Sequence, residues 1–298
     1  MNVLVTGGEG FIGRNIISYA KYKGWKTISY DIADGISEAD LKIKASVLNK
    51  EKLSEALKNI DIVFHEAATT SPPEFEKNPE IGYEANSQGT FNVLSLSEKL
   101  NVKKVVLASS SAMYGNSIKI TSENDLNLNF ISVYSMTKYF NEMSAKYFKE
   151  NTKLETVSLR YFNTYGLGEN TKGLYSSIMH KFIYDLKNNK KPVIYGDGNQ
   201  SRDFIYVKDV ARANILAALK GKNGEAYNIG TGTTTKFKDI YKIIAGEMDS
   251  NIKPKYEPIP FKTYQLYTCA EIMKAKKDLN FIPEYTLNSG IKEIVKSI

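Results

Sequence analysis

Thr6-Gly7-Gly8-Glu9-Gly10-Phe11-Ile12-Gly13 is the stretch on which the fold turns. It follows the apolar run Val3-Leu4-Val5 and opens a segment of helical periodicity from Ile12 to Lys23. In that setting Gly7 permits a tight turn, Gly10 lets backbone approach a pyrophosphate, and Gly13 lets helix pack on strand. A phosphate then sits at the helix N-terminus, where backbone N–H groups point outward. A second apolar run, starting at Thr27, closes on Tyr30-Asp31, about twenty residues further on, where an acid accepts hydrogen bonds from an adenosine ribose. Its charge repels a 2′-phosphate, so NAD is expected rather than NADP.

Outward from this turn the chain keeps one rhythm. Val3 to Thr6, Thr27 to Asp31, Ile62 to His65, Val105 to Ser109 and Thr156 to Arg160 read as strands, and Ile12 to Lys23, Glu80 to Leu100 and Tyr134 to Lys149 as helices between them. Alternation of this kind makes βαβ units, hence an α/β fold with a doubly wound parallel sheet. The strands are almost wholly apolar, as they must be when helices cover both faces. Past residue 166 longer loops carrying Gly196, Gly198, Pro254, Pro258, Pro260 and Pro283 replace the rhythm, so a smaller C-terminal lobe is expected from 167 to 298.

Composition narrows the classes. With 298 residues, 42% hydrophobic and 24% charged, the chain has the make-up of a globular protein. One cysteine, Cys269, allows no intramolecular disulfide or cysteine-based zinc site, and a reducing, cytoplasmic setting is expected. The N-terminal apolar run reads as a strand and not a signal peptide, and no stretch approaches the roughly 18 apolar residues of a membrane span. The net charge of +7 is spread over scattered lysines, which suits small phosphorylated ligands better than nucleic acid. His65 and His180 stand apart from any carboxylate or cysteine spacing, so no metal site is expected.

Chemistry enters with Tyr134-Ser135-Met136-Thr137-Lys138. The i, i+4 spacing puts both side chains on one helical face, and an ammonium beside a phenol lowers a pKa that is normally about 10 toward that of a general base. Upstream, Ser109-Ser110-Ser111-Ala112-Met113-Tyr114-Gly115 ends the Val105 strand, the end that faces the ligand crevice in such sheets.

These motifs, with His65-Glu66-Ala67-Ala68, Asn86-Ser87-Gln88-Gly89-Thr90, Arg160 to Gly166 and Gly196 to Val210, resemble in order the extended short-chain dehydrogenase/reductases of the NAD-dependent nucleotide-sugar epimerase/dehydratase family, over essentially the whole chain. The resemblance implies a Rossmann-like NAD-binding domain at 1–166, joined again by about 204–232, and a nucleotide-sugar-binding lobe at 167–298. It implies Tyr134 as catalytic base, Lys138 as its partner and ribose ligand, and Ser110, or Ser111 beside it, as the residue orienting a sugar hydroxyl. NAD contacts are implied at Gly7, Gly10, Phe11, Ile12, Gly13, Asp31, Ala67, Asn86 and Lys138. The diphosphate falls to Asn163 and Arg202, whose planar fork suits phosphate.

The chain departs from the family pattern twice. Ala45-Ser46-Val47 stands where an acidic residue usually meets the adenine, leaving that contact to Ser46 and Val47. An arginine expected before the last motif is absent, leaving Lys262 in its place. As to reaction, Ser111 and Ala112 stand where dehydratases carry an acid pair, so elimination is disfavoured. Epimerisation of a UDP-hexose at C4 is the leading expectation, and small Thr268 suggests room for an N-acetyl group. Tyr264-Gln265 resembles ADP-heptose 6-epimerases, the enzymatic alternative, and a non-catalytic dinucleotide sensor is the other. A homodimer through the Glu80–Leu100 and Tyr134–Lys149 helices is implied.

Overall fold

The computed structural model describes residues 1–70, 75, 78–126, 130–169, 176–260 and 264–297. Strands β1 (Asn2–Thr6), β2 (Lys26–Asp31), β3 (Leu41–Lys44), β4 (Ile62–His65), β5 (Lys104–Ser110) and β6 (Glu155–Tyr161) are followed by four short ones. These are β7 (Asn163–Tyr165), β8 (Val193–Tyr195), β9 (Ser201–Arg202) and β10 (Phe204–Tyr206); β11 (Glu225–Ile229) then returns to the main sheet. That sheet has seven strands in the order β11-β6-β5-β4-β1-β2-β3, and every pair is parallel. Strand order reverses between β1 and β4, and Thr6 at the end of β1 lies opposite both Tyr30 and His65. The glycine turn therefore emerges at the crevice where such sheets bind ligands.

The five strands read from apolar runs are the inner ones. The two edges, β3 and β11, escape that reading for a physical reason. An edge strand is covered on fewer sides, so Leu41-Lys42-Ile43-Lys44 and Glu225-Ala226-Tyr227-Asn228-Ile229 mix polar with apolar residues, and the lysines of β3 guard its open side.

Helices α1 (Phe11–Tyr22), α2 (Lys50–Ala56), α3 (Pro79–Tyr83), α4 (Gly89–Lys99) and α5 (Val133–Asn151) belong to the first part of the chain. The second part carries α6 (Ile178–Lys187), α7 (Val207–Lys220), α8 (Phe237–Glu247), α9 (Met273–Leu279) and α10 (Leu287–Lys296). One face of the sheet packs Ile16 and Ile17 of α1 with Val210, Ala213 and Ala217 of α7. The other packs Leu53, Leu57, Val93, Leu94, Ala145 and Phe148. Each fully buried isoleucine or leucine here contributes roughly 1.5–3 kcal/mol. A separate core of Tyr165, Phe182, Ile183, Ile194, Phe237, Ile240 and Ile291 lies in the C-terminal lobe.

Two expectations need correction. The helix expected over Glu80–Leu100 is interrupted by a wider, π-helical turn at Glu84–Gln88 between α3 and α4. In addition, α9 and Phe281 just after it leave the smaller lobe, to which α10 returns: Ala275, Leu279 and Phe281 are buried in the sheet's own core beside β11 and α7, whereas Ile291 and Ile294 lie in the C-terminal core.

Candidate active site

The turn after β1 meets the demands read from its glycines. Gly7 has φ +67°, and a Cβ there would come within 2.7 Å of the Ala67 nitrogen. A Cβ on Gly13 would fall 2.1 Å from the Gly7 oxygen, so the start of α1 lies directly on the turn. On Gly10 a Cβ would meet, among the described residues, only the Gly7 oxygen at 3.1 Å, a face that an approaching pyrophosphate could use. No side chain caps α1 and no acid occupies its first turn, so a phosphate meets an uncontested helix N-terminus. The turn thus fits a dinucleotide. Phe11 is buried and Ile12 half-buried at the start of α1. Asp31 Oδ2 accepts from the Glu9 N–H at 2.9 Å and Oδ1 from the Ala33 N–H at 2.9 Å, which fixes its carboxylate at the end of β2. Ser46 Oγ accepts from the Leu48 N–H at 3.2 Å, and the buried Val47 receives Asn92 on its carbonyl at 3.2 Å.

Helix α5 carries the second half of the site. Ser132 starts it with a capping box, its hydroxyl accepting from the Ser135 N–H at 3.2 Å. Tyr134, Lys138 and Glu142 then follow at successive turns and face the ends of β5 and β6. Ser110 neighbours the Tyr134 phenol, its hydroxyl accepting from the Ala112 N–H at 3.1 Å, and Phe75 meets the phenol ring edge-on at 6.0 Å. Lys138, 3% exposed, donates to the Ala108 carbonyl at 2.8 Å, with Nζ 5.8 Å from the Tyr134 ring centre. Glu142 accepts from Ser109 at 2.5 Å and takes both prongs of Arg160 at 2.9 and 2.7 Å. Of the two candidate serines, then, Ser110 meets the phenol, while buried Ser111 begins the 3₁₀ turn behind it.

The electrostatics differ from the simple tyrosine–lysine picture. Burial pushes the Tyr134 phenol up, the neighbouring Ser110 works against it, and the Glu66 charge pushes it further. Burial lowers Lys138, whose ammonium points at a carbonyl and not at the phenol. Burial is therefore the leading influence on the phenol, and it acts in the opposite direction to an ammonium placed beside it.

Two of the expected ligand contacts, Asn86 and Asn163, have side chains engaged within the protein. Asn86 is fully buried: its Oδ1 accepts from the Thr69 N–H at 2.8 Å, and its Nδ2 donates to the Thr69 carbonyl and Thr137 Oγ1 at 3.0 and 3.1 Å. Its side chain clamps the loop after β4 to α5 and has no donor left for a cofactor. Asn163 spends both Nδ2 hydrogens on the Asp203 carbonyl at 3.1 Å and Thr268 Oγ1 at 2.9 Å. What remains is an acceptor, suited to a hydroxyl and unsuited to phosphate. Arg202, 6% exposed, does fit an anion. Its guanidinium lies 5.6 Å from the Phe237 ring centre and 5.5 Å from that of Tyr264, and among the described residues it donates only to the Ser201 carbonyl at 3.1 Å. Burial pushes it down to about 10, and no carboxylate pairs with it among the described residues. Phe237 and Asn163 also line a hollow of about 200 Å³ with Glu169, Ser177 and Phe204. Lys262 lies outside the described residues.

Residues 3–230 match the NAD dependent epimerase/dehydratase family. The chain belongs to that family. It is an NAD-dependent nucleotide-sugar epimerase, and NAD is its cofactor. A UDP-glucuronate 4-epimerase of Thermodesulfobacterium geofontis is 32% identical, over 98% of this chain and 94% of that one. The structure of a UDP-glucose 4-epimerase from Thermotoga maritima with UDP-glucose superposes with TM-score 0.94 at 31% identity, covering 99% and 98% of the two chains. A UDP-N-acetylglucosamine 4-epimerase from Methanobrevibacter ruminantium, in complex with UDP-N-acetylmuramic acid, gives TM-score 0.90 at 31%, covering 100% and 99%.

Sequence reasoning passed over two acids of the epimerase. Glu66, just after β4, has its carboxylate held by the Tyr161 hydroxyl at 2.7 Å, and Tyr161 in turn receives Asn214 Nδ2 at 2.8 Å. Burial raises Glu66 strongly, although Lys138 and the Tyr161 bond favour its charge. The signal was a carboxylate directly after a buried strand at the crevice. Glu9 is the other, inside the glycine turn itself.

Proposed function

We propose that the epimerase inverts C4 of a UDP-hexose, holding NAD on the glycine turn, Asp31 and Lys138. The observation that carries the substrate class is Arg202, a buried cation with two aromatic rings against it and no carboxylate partner among the described residues. Burying an unpaired guanidinium is costly, and an anion such as a nucleotide diphosphate offsets that cost. Ser111 and Ala112, next to Ser110, provide no acid for eliminating water, which favours inversion without dehydration. When bound, NAD supplies the hydride acceptor and, carrying a positive ring, favours the phenolate. Tyr134 takes the C4 hydroxyl proton and later returns it, Ser110 orients that hydroxyl, and Lys138 holds the ribose. Thr268, small and locked to Asn163, leaves room for an N-acetyl group at C2.

We assign cofactor binding to residues 1–166 with about 204–232, and the nucleotide sugar mainly to 167–298. A homodimer is supported by the exposed Phe91, Met136, Phe140, Met143 and Tyr147 on α4 and α5. A cytoplasmic location is supported by the single cysteine, whose thiol is buried. Among the described residues no helix is long and apolar enough to cross a membrane.

The test is a proton NMR time course against UDP-glucose, UDP-N-acetylglucosamine and an ADP-heptose. Conversion of a UDP-hexose to an isomer of the same mass, abolished in Tyr134→Phe with NAD binding intact, is the expected result. Turnover of the heptose alone would replace this reading with the one drawn from Tyr264-Gln265, where Tyr264 stacks on Arg202 and Gln265 donates to the Gly115 carbonyl at 2.6 Å.

A further inference from the structure

Glu9 is out of place by charge: a carboxylate inside a turn that receives a diphosphate repels its own ligand. The fold resolves the conflict by turning the side chain away from the open face of Gly10 and burying it to 6% exposure. Oε1 accepts from the hydroxyls of Ser29 at 2.5 Å and Ser37 at 2.7 Å, and Oε2 accepts from the N–H groups of Ile36 and Ser37, both at 2.6 Å. Burial works against the charge, but these hydrogen bonds outweigh it and hold the carboxyl below its usual range.

One side chain thereby ties three segments together: the glycine turn, the middle of β2 and the loop that follows β2. That loop starts directly after Asp31, the residue to which the Glu9 N–H itself donates. It carries Ile32 and Ile36, exposed by 70% and 61%. The loop also engages the cations beside it, with Lys44 on Asp34 at 2.6 Å and Lys42 on the Gly35 carbonyl at 3.4 Å.

We propose that Glu9 is a specificity-determining positioning residue for the dinucleotide. By fastening the 32–37 loop to the glycine turn, it holds Asp31 against the adenosine ribose, keeps Lys42 and Lys44 turned to the loop, and so excludes a 2′-phosphate. The inference rests on the reading of Asp31 as the ribose acceptor. A loosened loop lets Asp31 swing aside and lets both lysines meet a 2′-phosphate, so selectivity falls even where the fold survives.

The experiment is competition between NAD and NADP for the full-length protein, read by mass spectrometry of the dinucleotide retained, together with hydrogen exchange at the Ile36 and Ser37 amides. In Glu9→Ala the preference for NAD falls roughly tenfold, the equivalent of one lost positioning contact, and both amides exchange faster. Glu9→Gln, whose amide can still accept both N–H groups and meet both hydroxyls, keeps the preference. Ser37→Ala, which leaves the glycine turn untouched, shows a smaller fall and decides the matter if Glu9→Ala does not fold. An unchanged preference in the folded variants, or equal weakening of both dinucleotides, overturns the proposal. Asp31→Ala separates the two levels. If it lowers the preference while Glu9→Ala does not, Glu9 alone is misread; if Asp31→Ala changes nothing, the ribose reading fails.

Discussion

His65 shows how much one side chain's surroundings decide. Its Nδ1 lies 2.7 Å from Thr6 Oγ1 and its Nε2 2.8 Å from Thr90 Oγ1. The Thr90 hydroxyl proton goes to the Asn86 carbonyl, so Nε2 must carry the ring hydrogen and Nδ1 must accept from Thr6. Burial, helped by the charge of Lys138, pushes the ring down to about 3. The folded pKa is thus below the unfolded value near 6.5, and between the two the unfolded chain binds a proton that the native state refuses. Stability is full above pH 6.5 and is lost as pH falls, by about 2 kcal/mol from pH 6.5 to 5. Urea titrations of the wild type and His65→Gln over that range should diverge by this amount, and parallel curves would refute the assignment. The sequence marked His65 as lacking metal partners. It could not show two threonine hydroxyls converging on the ring, because Thr6 and Thr90 come from different elements.

Helix α5 is inverted relative to an ordinary surface helix. Ser135, Thr137, Lys138, Asn141 and Glu142 are buried on its inner face, whereas Met136, Phe140, Met143 and Tyr147 stand outside, exposed by 38–58%. The inner polar stripe is sustained by pairing: Glu142 takes Arg160, which also donates to the Tyr114 hydroxyl and the Glu123 carbonyl at 2.9 and 2.8 Å. Glu142→Ala leaves that guanidinium buried without its carboxylate and should cost about 3–5 kcal/mol in urea unfolding. A loss below about 1 kcal/mol would mean that Arg160 finds relief elsewhere. The Tyr134–Lys138 spacing was legible because it is local to one helix. The Ser110 contact, the Ala108 carbonyl on Lys138 and the Glu142–Arg160 pair depend on how β5 and β6 lie against α5, and no spacing encodes that.

For the whole molecule, the outer stripe of α5 sets the expectation. Met136, Phe140, Met143 and Tyr147 recur at helical spacing beside Phe91 of α4, an apolar face too continuous to be left in water. A second copy covering it is the proposed arrangement. Phe140→Glu should therefore convert a dimer to a monomer in light scattering at micromolar concentration, with secondary structure unchanged by circular dichroism. A wild-type monomer would show that this face stays open.

The repeated βαβ rhythm, the three glycines and Asp31 were determined by the sequence alone, because each rests on local periodicity or on a backbone demand that only glycine meets. The boundary of the smaller lobe was less local. Residues 273–281 look like part of it along the chain, yet Leu279 and Phe281 are buried against the main sheet, because β11 comes back to its edge and needs cover. Folding also settled which polar groups are already engaged. Asn86 and Asn163 have the donors that family resemblance asks for, but each, one buried and the other half-buried, spends them on its neighbours. Arg202 has no carboxylate partner among the described residues, and Glu9, which the sequence places against a phosphate, is turned beneath a loop. Hydrogen-bond satisfaction in a buried interior depends on three-dimensional neighbours, and those exist only once distant segments of the chain have met.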